Sequence, residues 1–502
     1  MNKGFLQIKN LKFSYPTYEG YSSTEILKGI SLDIRPGSIN IIFGGSESGK
    51  TTLALILSAL IPNHTGGEIS GEVRIDDIDI LNAYAPELIE HCGIVFQDPE
   101  KQTVTTDCFS EAAFALESMG IPVEEIDKRV KKSFSSLGIE KLLKAKITET
   151  SGGEKKKLGL ACLFAVNPDL YILDETMEEL DNSAREKLFK LLKKTGKSVI
   201  IFSSKFYNIF ETADTFSLLQ DGELLLKESF PLSPYFKNKL EEEGIIADLK
   251  LLSTNKDNKE NFEDLLISAE NIVYSYSDNG FALNIEGFSL FNGEVVSLVG
   301  RNGCGKSTFA KILCGLINPS AGEIKVENKT AESVFLNSFC AYLFQNPDYQ
   351  IFLPTIFDEL SWGMKECGIA NRVIKASVSA AIEDFCLPQE DTPPAMMSFS
   401  ARKRLQAGVY YLLKRPVFIL DEADTSLSYI DFIDLVERIK TVCKSVIIIT
   451  HDLKIASAVS DRVIGMDNGC FIEDLSGLPS ELLEQWFSDS SEKGKGLSGD
   501  PS

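Results

Sequence analysis

The sequence predicts an α/β protein in which one fold of parallel β-strands and helices occurs twice in tandem. Short apolar strands alternate with helical segments, which is typical of a mainly parallel sheet with helices on both faces. Three patterns recur in the same order at offsets of 256, 248 and 247 residues, so a duplicated unit of about 230–250 residues explains them better than chance. The repeated pairs are GGSESGKTT (44–52) with GRNGCGKST (300–308), IVFQDPEKQ (94–102) with YLFQNPDYQ (342–350), and YILDE (171–175) with FILDE (418–422).

Length and composition limit the classes of function. The 502 residues are 43% hydrophobic and 25% charged, as in ordinary globular proteins, and include no apolar run of 18 residues that would span a bilayer. No secretion signal is expected at the N-terminus. The ten cysteines form no CxxC pair, so neither a zinc site nor a disulfide framework is expected. A net charge of −22 disfavours a nucleic-acid partner. The densest basic runs, 155–157 and 402–404, are expected to form solvated helix faces.

Domain limits follow from the repeats and from polar segments. We expect a first domain over 1–235, a linker over 236–265, a second domain over 266–480 and a disordered tail over 481–502. The polar run LSTNKDNKENFED (252–264) marks the linker. In both halves, the stretch between the glutamine pattern and the next serine motif is expected to be mostly helical.

Two glycine-rich loops match the pattern G-x-x-x-x-G-K-[ST], and each follows an apolar strand. Glycines let backbone N–H groups curl around phosphate oxygens, the lysine reaches the β- and γ-phosphates, and the hydroxyl after it binds Mg²⁺. Two such loops in register make an accidental turn improbable, so the sequence predicts two sites for ATP and Mg²⁺. The candidate phosphate-binding residues are Gly44, Gly45, Ser46, Glu47, Ser48, Gly49, Lys50, Thr51 and Thr52, and Gly300, Arg301, Asn302, Gly303, Cys304, Gly305, Lys306, Ser307 and Thr308.

An Asp-Glu pair ends the apolar strand in each YILDE-type repeat. Asp174 and Asp421 are placed to hold the water shell of a metal ion. Glu175 and Glu422 are placed to orient or deprotonate an attacking water. Such a pair is often only a helix-start signal, but the phosphate loop upstream favours the chemical interpretation.

With these loops and acidic pairs, the motif SGGE (151–154) resembles the signature of the ATP-binding-cassette ATPases. The resemblance implies two P-loop NTPase domains, each with a RecA-like parallel-sheet core, an antiparallel β subdomain and a helical subdomain. It implies that His451 is a switch histidine and that Tyr15 and Tyr276 stack on adenine, although ordinary strand aromatics remain an alternative for both tyrosines. It further implies metal contacts from Thr51, Gln97, Asp174, Ser307, Gln345 and Asp421, nucleotide contacts from Ser151, Gly152, Gly153 and Ser398, and catalytic roles for Glu175, Glu422 and His451.

In this family two cassettes sandwich two ATP molecules head to tail, so the resemblance implies that the two halves pair within one chain. The second site, which combines the loop of Lys306 with the signature of Ser151, has every expected group, including His451, although Thr150 replaces the usual leucine before the serine. The first site, which combines the loop of Lys50 with the second signature, has Ser204 where the histidine is expected.

Two further departures fall on the first site. In the register that aligns Ser398 with Ser151, Phe399 and Ser400 replace the glycines of the second signature, MSFSARKRL (397–405). A shift of one or two residues would make Ser400 the equivalent serine, and the glycines would still be missing. Ser428 also stands where the first half has Asp181. If these three changes had arisen independently, all three would fall on the same site by chance about one time in four. We therefore expect that the second site hydrolyses ATP and that the first site mainly binds it.

The segments after Gln97 and Gln345, above all FQNPDYQIFLPTIFDELSWGM (344–364), are similar to the energy-coupling-factor ATPases that power uptake of vitamins and metal ions. The resemblance implies a transmembrane coupling subunit and a solute-binding membrane subunit as partners, with no direct membrane insertion and a location at the cytoplasmic face of the membrane. Ile351, Phe352 and Leu353 are candidates to line the docking groove, or simply to pack in the core. Twin-cassette ATPases that act in translation or DNA repair are the alternative class, and a non-hydrolysing regulatory module is a third.

Overall fold

The computed structural model describes residues 5–16, 25–63, 65–150, 152–178, 180, 182–246, 262–275, 282–476 and 478. The chain divides into two compact units, Met1–Ile246 and Ala247–Ser502. The domain limits inferred from the sequence stay a proposal. Several predicted features lie outside the described residues, namely Ser151, Asp181, Tyr276, most of the polar linker run and the tail after residue 480.

The first unit contains two sheets. Its strands are β1 (Leu6–Ser14), β2 (Glu25–Ile34), β3 (Ile39–Phe43), β4 (Glu68–Ile75), β5 (Ile78–Asp79), β6 (Cys92–Val95), β7 (Leu170–Asp174), β8 (Ser198–Ser203), β9 (Thr215–Gln220) and β10 (Glu223–Glu228). Its helices are Lys50–Leu57, Cys108–Ser118, Val123–Leu137, Gly152–Val166, Asn182–Thr195 and Pro234–Glu242.

The central sheet of the first unit has the strand order β10-β9-β3-β8-β7-β6, and all neighbours except β10 and β9 pair in parallel. Alternate residues of β7 face different apolar layers. Leu170 and Ile172 belong to one core cluster, and Tyr171 and Leu173 belong to another. A strand buried on both faces explains the continuous apolar run in the sequence. A separate antiparallel sheet has the order β2-β1-β4-β5.

The second unit repeats this plan. Its strands are β11 (Leu265–Ser275), β12 (Ala282–Phe291), β13 (Val295–Gly300), β14 (Ala321–Val326), β15 (Lys329–Thr330), β16 (Cys340–Leu343), β17 (Val417–Asp421), β18 (Ser445–Ile449), β19 (Arg462–Asp467) and β20 (Cys470–Asp474). Its helices are Lys306–Leu313, Ser333–Phe339, Ile356–Glu366, Asn371–Asp384, Phe399–Leu412, Tyr429–Lys440 and Leu453–Val459.

The order β16-β17-β18-β13-β19-β20 matches the first unit strand for strand, with only β20 antiparallel to its neighbour. The antiparallel sheet has the order β12-β11-β14-β15. Each unit therefore has a parallel core, an antiparallel sheet and a helical insert, and the predicted fold class is confirmed. In each parallel core, the strands that precede the phosphate loop, the Asp-Glu pair and the histidine position are neighbours, so their carboxyl ends meet at one edge.

The helical inserts begin at capped residues. Asp107 accepts a hydrogen bond from the Ser110 amide at 2.9 Å, and Thr355 accepts one from the Asp358 amide at 3.0 Å. A side-chain oxygen at this position satisfies an otherwise free amide of the first turn. The prediction of mostly helical inserts is confirmed by two helices in each unit. None of the helices in the described part of the chain is long and apolar enough to cross a bilayer.

Candidate functional site

Each phosphate loop curls around the amino group of its lysine. Lys50 Nζ donates to the carbonyl of Gly44 at 2.7 Å, and Lys306 Nζ donates to the carbonyl of Gly300 at 2.8 Å. Both lysines are buried. The ammonium group thus lies at the base of the loop, where an entering phosphate would replace carbonyl contacts with a stronger charge-assisted one.

Glycine is required at two points of each loop. Gly49 and Gly305 precede the helix with φ of 100° and 110°, in the left-handed region that penalises side chains. A Cβ at Gly44 would lie 2.6 Å from the carbonyl oxygen of Leu219, and one at Gly300 would lie 2.2 Å from that of Met466.

The other predicted loop residues divide into a buried base and an open rim. The buried residues are Gly45, Ser48, Thr52 and Cys304, the half-buried ones are Ser46, Arg301, Gly305, Ser307 and Thr308, and the exposed ones are Glu47, Thr51, Asn302 and Gly303.

The two candidate bases stand at strand ends in a strained conformation. Glu175 and Glu422 have φ of 48° and 50°, a region that costs a non-glycine residue about 1–3 kcal/mol. The sheet holds them there, because the Glu175 amide donates to Phe202 O at 3.1 Å and the Glu422 amide to Ile449 O at 2.9 Å.

The predicted metal-binding glutamines contact these glutamates. Gln97 Nε2 donates to Glu175 Oε2 at 3.0 Å, and Gln345 Nε2 donates to Glu422 Oε2 at 2.7 Å. Both glutamines are therefore placed to orient the candidate base, and their predicted role as metal ligands stays a prediction.

His451 completes the arrangement in the second unit. Its Nε2 lies 2.9 Å from Glu422 Oε1, and both side chains are largely buried. Burial raises the pKa of Glu422, but the neighbouring His451, Lys306 and Lys403 outweigh burial and hold that pKa below its usual value. The carboxylate stays ionised at neutral pH, as a proton acceptor must.

The first unit differs at this point. Ser204 donates from both its hydroxyl and its amide to Glu178 Oε1, at 2.6 and 3.1 Å. The second unit has Thr425 at the position equivalent to Glu178, 247 residues later. Glu175, without a histidine, lies 3.2 Å from the ammonium of Lys50. Glu178 was not predicted from the sequence as a functional residue, although its charge stands out within an otherwise matching repeat.

Tyr15 is tied to the helix that follows the first phosphate loop. Its hydroxyl lies 3.2 Å from Thr52 Oγ1, and its ring packs edge-on against Phe13 at 4.9 Å. Burial raises the pKa of the Tyr15 hydroxyl, although 38% of the residue is exposed. The exposed fraction leaves ring surface for a base, and adenine stacking stays a prediction.

The signature motifs both precede long helices. The helix Gly152–Val166 starts with the two predicted glycines, and Ser398 caps the helix Phe399–Leu412 by accepting from the Ala401 amide at 3.0 Å. Because the second helix begins immediately after Ser398, the structure favours the register that aligns Ser398 with Ser151.

The prediction of solvated basic faces is wrong for the middle residues of both runs. Lys156 and Lys403 are 0% and 1% exposed, and Arg402 is also buried. The helices that carry them pack inward, and each lysine reaches polar backbone there. The two lysines lie 247 residues apart, at the same point of the repeat. This shared position indicates a structural role that the sequence prediction overlooked.

The buried lysines connect the signature helices to the candidate catalytic loops. Lys156 Nζ donates to the carbonyl of Gln97. Lys403 Nζ donates to the carbonyl of Glu422 at 3.0 Å and to that of Thr425 at 2.8 Å. A charged donor that satisfies several buried oxygens is costly to remove.

We expect Lys403→Met to lower the free energy of unfolding of the second unit by about 2 kcal/mol, because buried carbonyl oxygens lose their donor. Urea unfolding followed by tryptophan fluorescence measures this, since both tryptophans, Trp362 and Trp486, lie in the second half of the sequence. Lys375→Met, on an exposed helix face, is the matched control and should leave the midpoint unchanged. Equal midpoints for the two variants would contradict the structural role of Lys403.

A family model described as the ABC transporter matches residues 27–178 and 283–425, which together form more than half of the chain. The chain belongs to the ABC transporter family. It is an ATPase with two tandem ABC domains.

Curated relatives of this ABC ATPase align over nearly its whole length. A protein of Methanosarcina acetivorans, assigned as an ABC transporter ATP-binding protein, is 28% identical over 93% of this chain and 90% of its own length. One of Clostridium perfringens with the same assignment is 29% identical over 96% and 92%. The archaeal ribosome recycling factor, solved in complex with a ribosomal stalk protein, has a TM-score of 0.61 at 18% identity over 95% of this chain and 92% of its own. That likeness shows the fold alone.

ABC ATPase domains bind ATP and normally use Mg²⁺, and the acidic residues of this chain fit such a cation. Both carboxylate oxygens of Asp174 are buried and lack a hydrogen-bond partner among the described residues, and burial raises the pKa of Asp174. A cation stabilises a carboxylate that is buried and has few hydrogen-bond donors around it. In the second unit Ser307 Oγ donates to Asp421 Oδ1 at 2.9 Å, so the two predicted ligands are adjacent. No group of three or more His, Cys, Asp or Glu that could hold a metal ion occurs among the described residues.

Proposed function

We propose that this chain is the ATP-hydrolysing subunit of an energy-coupling-factor-type ABC importer, which drives uptake of a vitamin or metal ion through separate membrane subunits. It would act at the cytoplasmic face of the membrane. The observation that carries the proposal is the segment QNPDYQ (345–350), with its looser counterpart QDPEKQ (97–102), because this pattern is similar to energy-coupling-factor ATPases.

The geometry of this segment suits a docking role. Gln350 Oε1 accepts a hydrogen bond from Gln406 Nε2 at 2.7 Å, which anchors the segment to the signature helix. Beyond this anchor Phe352 is 74% exposed and lies edge-on to Trp362 at 6.4 Å. Ile351 packs against the core. A short apolar surface beside the glutamine loop is what an amphipathic helix of a coupling subunit needs.

In the proposed mechanism, hydrolysis occurs at the second site. Lys306 binds the phosphates, and Gln345 and His451 hold Glu422 in line with a water molecule. Glu422 accepts the proton of that water as the water oxygen bonds to the γ-phosphorus and the bond from that phosphorus to the bridging oxygen breaks, which releases ADP and phosphate. Ser307 and Asp421 would hold Mg²⁺, which would supply positive charge against the negative charge that develops on the phosphates.

The first site, in this proposal, binds ATP and hydrolyses it slowly. The pair formed by Ser204 and Glu178 cannot contact Glu175 as the imidazole contacts Glu422. Phe399 and Ser400 would also place side chains where the signature of the family has glycines, which hinders close approach of backbone N–H groups to a phosphate.

The proposal is tested by purifying the tagged chain from native membranes in mild detergent and reconstituting the resulting complex in liposomes. We expect integral membrane subunits in stoichiometric amounts and ATP-dependent solute uptake. Co-sedimentation with ribosomes instead of membranes would favour the twin-cassette translation class, whose likeness to this chain rests on fold alone.

The docking segment provides a sharper prediction. Phe352→Asp should lower recovery of the membrane subunits by about tenfold or more, because a charge would enter an apolar contact at the centre of the interface. ATP binding to the isolated chain should not change. Phe335→Asp is a matched control, since Phe335 is also exposed but lies on the helix Ser333–Phe339. If both variants retain the subunits equally, the assigned docking surface is wrong.

A further inference from the structure

Asp421, the candidate metal ligand of the second unit, has a hydrogen bond on each carboxylate oxygen. Ser307 Oγ donates to Oδ1 at 2.9 Å, and the hydroxyl of Tyr342 donates to Oδ2. Tyr342 lies on β16, the strand next to β17, and is 3% exposed. Two donors from two elements fix both the position and the rotation of the carboxylate.

The first unit lacks the tyrosine. Its equivalent strand, β6, has Ile94 at this position, and Ile94 pairs with Ile172 in the register in which Tyr342 pairs with Ile419. An isoleucine donates no hydrogen bond. No tyrosine hydroxyl among the described residues therefore reaches Asp174, and the side-chain neighbour that most strongly opposes the rise of its pKa by burial is Thr51, the counterpart of Ser307.

We propose that Tyr342 is a positioning residue that orients Asp421 for the divalent cation of the second site, and that its absence makes the first site bind the cation less tightly. The inference rests on the proposed metal role of Asp421. It adds a fourth difference between the two sites, independent of the histidine, of the signature glycines and of Ser428. Residues that hydrogen-bond a ligating carboxylate commonly change metal affinity by about 10–100-fold.

The hydroxyl can be removed without disturbing the packing. The ring of Tyr342 packs edge-on against Phe344 at 4.9 Å, and phenylalanine retains this contact. Tyr342→Phe therefore deletes one oxygen and one hydrogen bond. Tyr171→Phe is the matched control, because Tyr171 is also a buried strand tyrosine, and its hydroxyl donates to Asn167 at 2.7 Å, away from either acidic pair.

The test measures Mn²⁺ affinity by electron paramagnetic resonance in the presence of a non-hydrolysable ATP analogue. A Lys50→Ala background suppresses nucleotide binding at the first phosphate loop, so that the second site is observed. In this background we expect Tyr342→Phe to weaken Mn²⁺ binding by about tenfold and Tyr171→Phe to leave it unchanged. A Lys306→Ala background, which exposes the first site, should show weaker Mn²⁺ binding than the Lys50→Ala background.

Asp421→Asn separates the inference from the proposed function. If Asp421→Asn weakens Mn²⁺ binding but Tyr342→Phe does not, the positioning role is wrong while the metal role of Asp421 stands. If Asp421→Asn itself has no effect, the proposed metal role fails, and the inference fails with it. Equal weakening by Tyr342→Phe and Tyr171→Phe would indicate a general loss of stability and overturn the inference.

Discussion

Glu422→Gln is expected to lower the steady-state ATP turnover of the chain by about 100-fold or more, because the second site loses its proton acceptor. The amide retains the size of the carboxylate and can still contact His451 and Gln345, so ATP binding should persist. Phosphate release at saturating ATP measures the turnover, and nucleotide binding checks that the variant is folded.

Glu175→Gln is the matched control within the same molecule. Glu175 has the same strand-end position, the same left-handed backbone and the same glutamine contact as Glu422. It differs in having no histidine contact: its carboxylate lies 3.2 Å from Lys50 Nζ, whereas that of Glu422 lies 2.9 Å from His451 Nε2. We expect a change in turnover of about twofold or less. A loss as large as that of Glu422→Gln would contradict the unequal roles of the two sites.

His451→Ser, which introduces the residue found in the first unit, should lower kcat by about 100-fold while KM changes little. A serine hydroxyl is too short to make the contact between His451 Nε2 and Glu422 Oε1, so the base is no longer held in line. The loss concerns orientation in the transition state and leaves the phosphate loop intact. Rapid-quench measurements at several ATP concentrations separate kcat from KM.

The reciprocal change tests the role of Glu178. Ser204→His alone should not raise turnover, because Glu178 already accepts both hydrogen bonds at that position and would hold the imidazole away from Glu175. The test measures ATP turnover of Ser204→His in a Glu422→Gln background. Increased turnover would show that the missing histidine alone limits the first site and would contradict the proposed effect of Glu178.

The sequence was sufficient to predict the features that the backbone determines. A buried strand followed by a glycine-rich turn and a helix positions Lys50 and Lys306 in only one way. The Asp-Glu pairs and His451 follow strands that are neighbours in the parallel sheet, so their proximity follows from the repeat pattern and from strand order. The contact between His451 and Glu422 agrees with this expectation.

Contacts between side chains far apart in sequence could not be predicted from the repeats and local patterns. Lys403 belongs to a basic run that suggested a solvated face, yet it is buried because three oxygens of the loop after β17 surround it. The hydroxyl of Tyr342 and the carboxylate of Glu178 likewise have partners that no local pattern specifies. The partner of each of these side chains depends on how one helix or strand packs against another, which only the structure shows.

The strand pairing next to the two glutamates limits which mutations can alter the switch position. Asp421 pairs with Ile449 and Asp174 pairs with Phe202, and in each unit the switch position follows two residues later. The backbone framework that presents the imidazole in the second unit is thus also present in the first unit. A substitution at the switch position changes the side chain and keeps this framework, whereas a one-residue deletion within β8 or β18 would turn the switch position to the opposite side of the sheet.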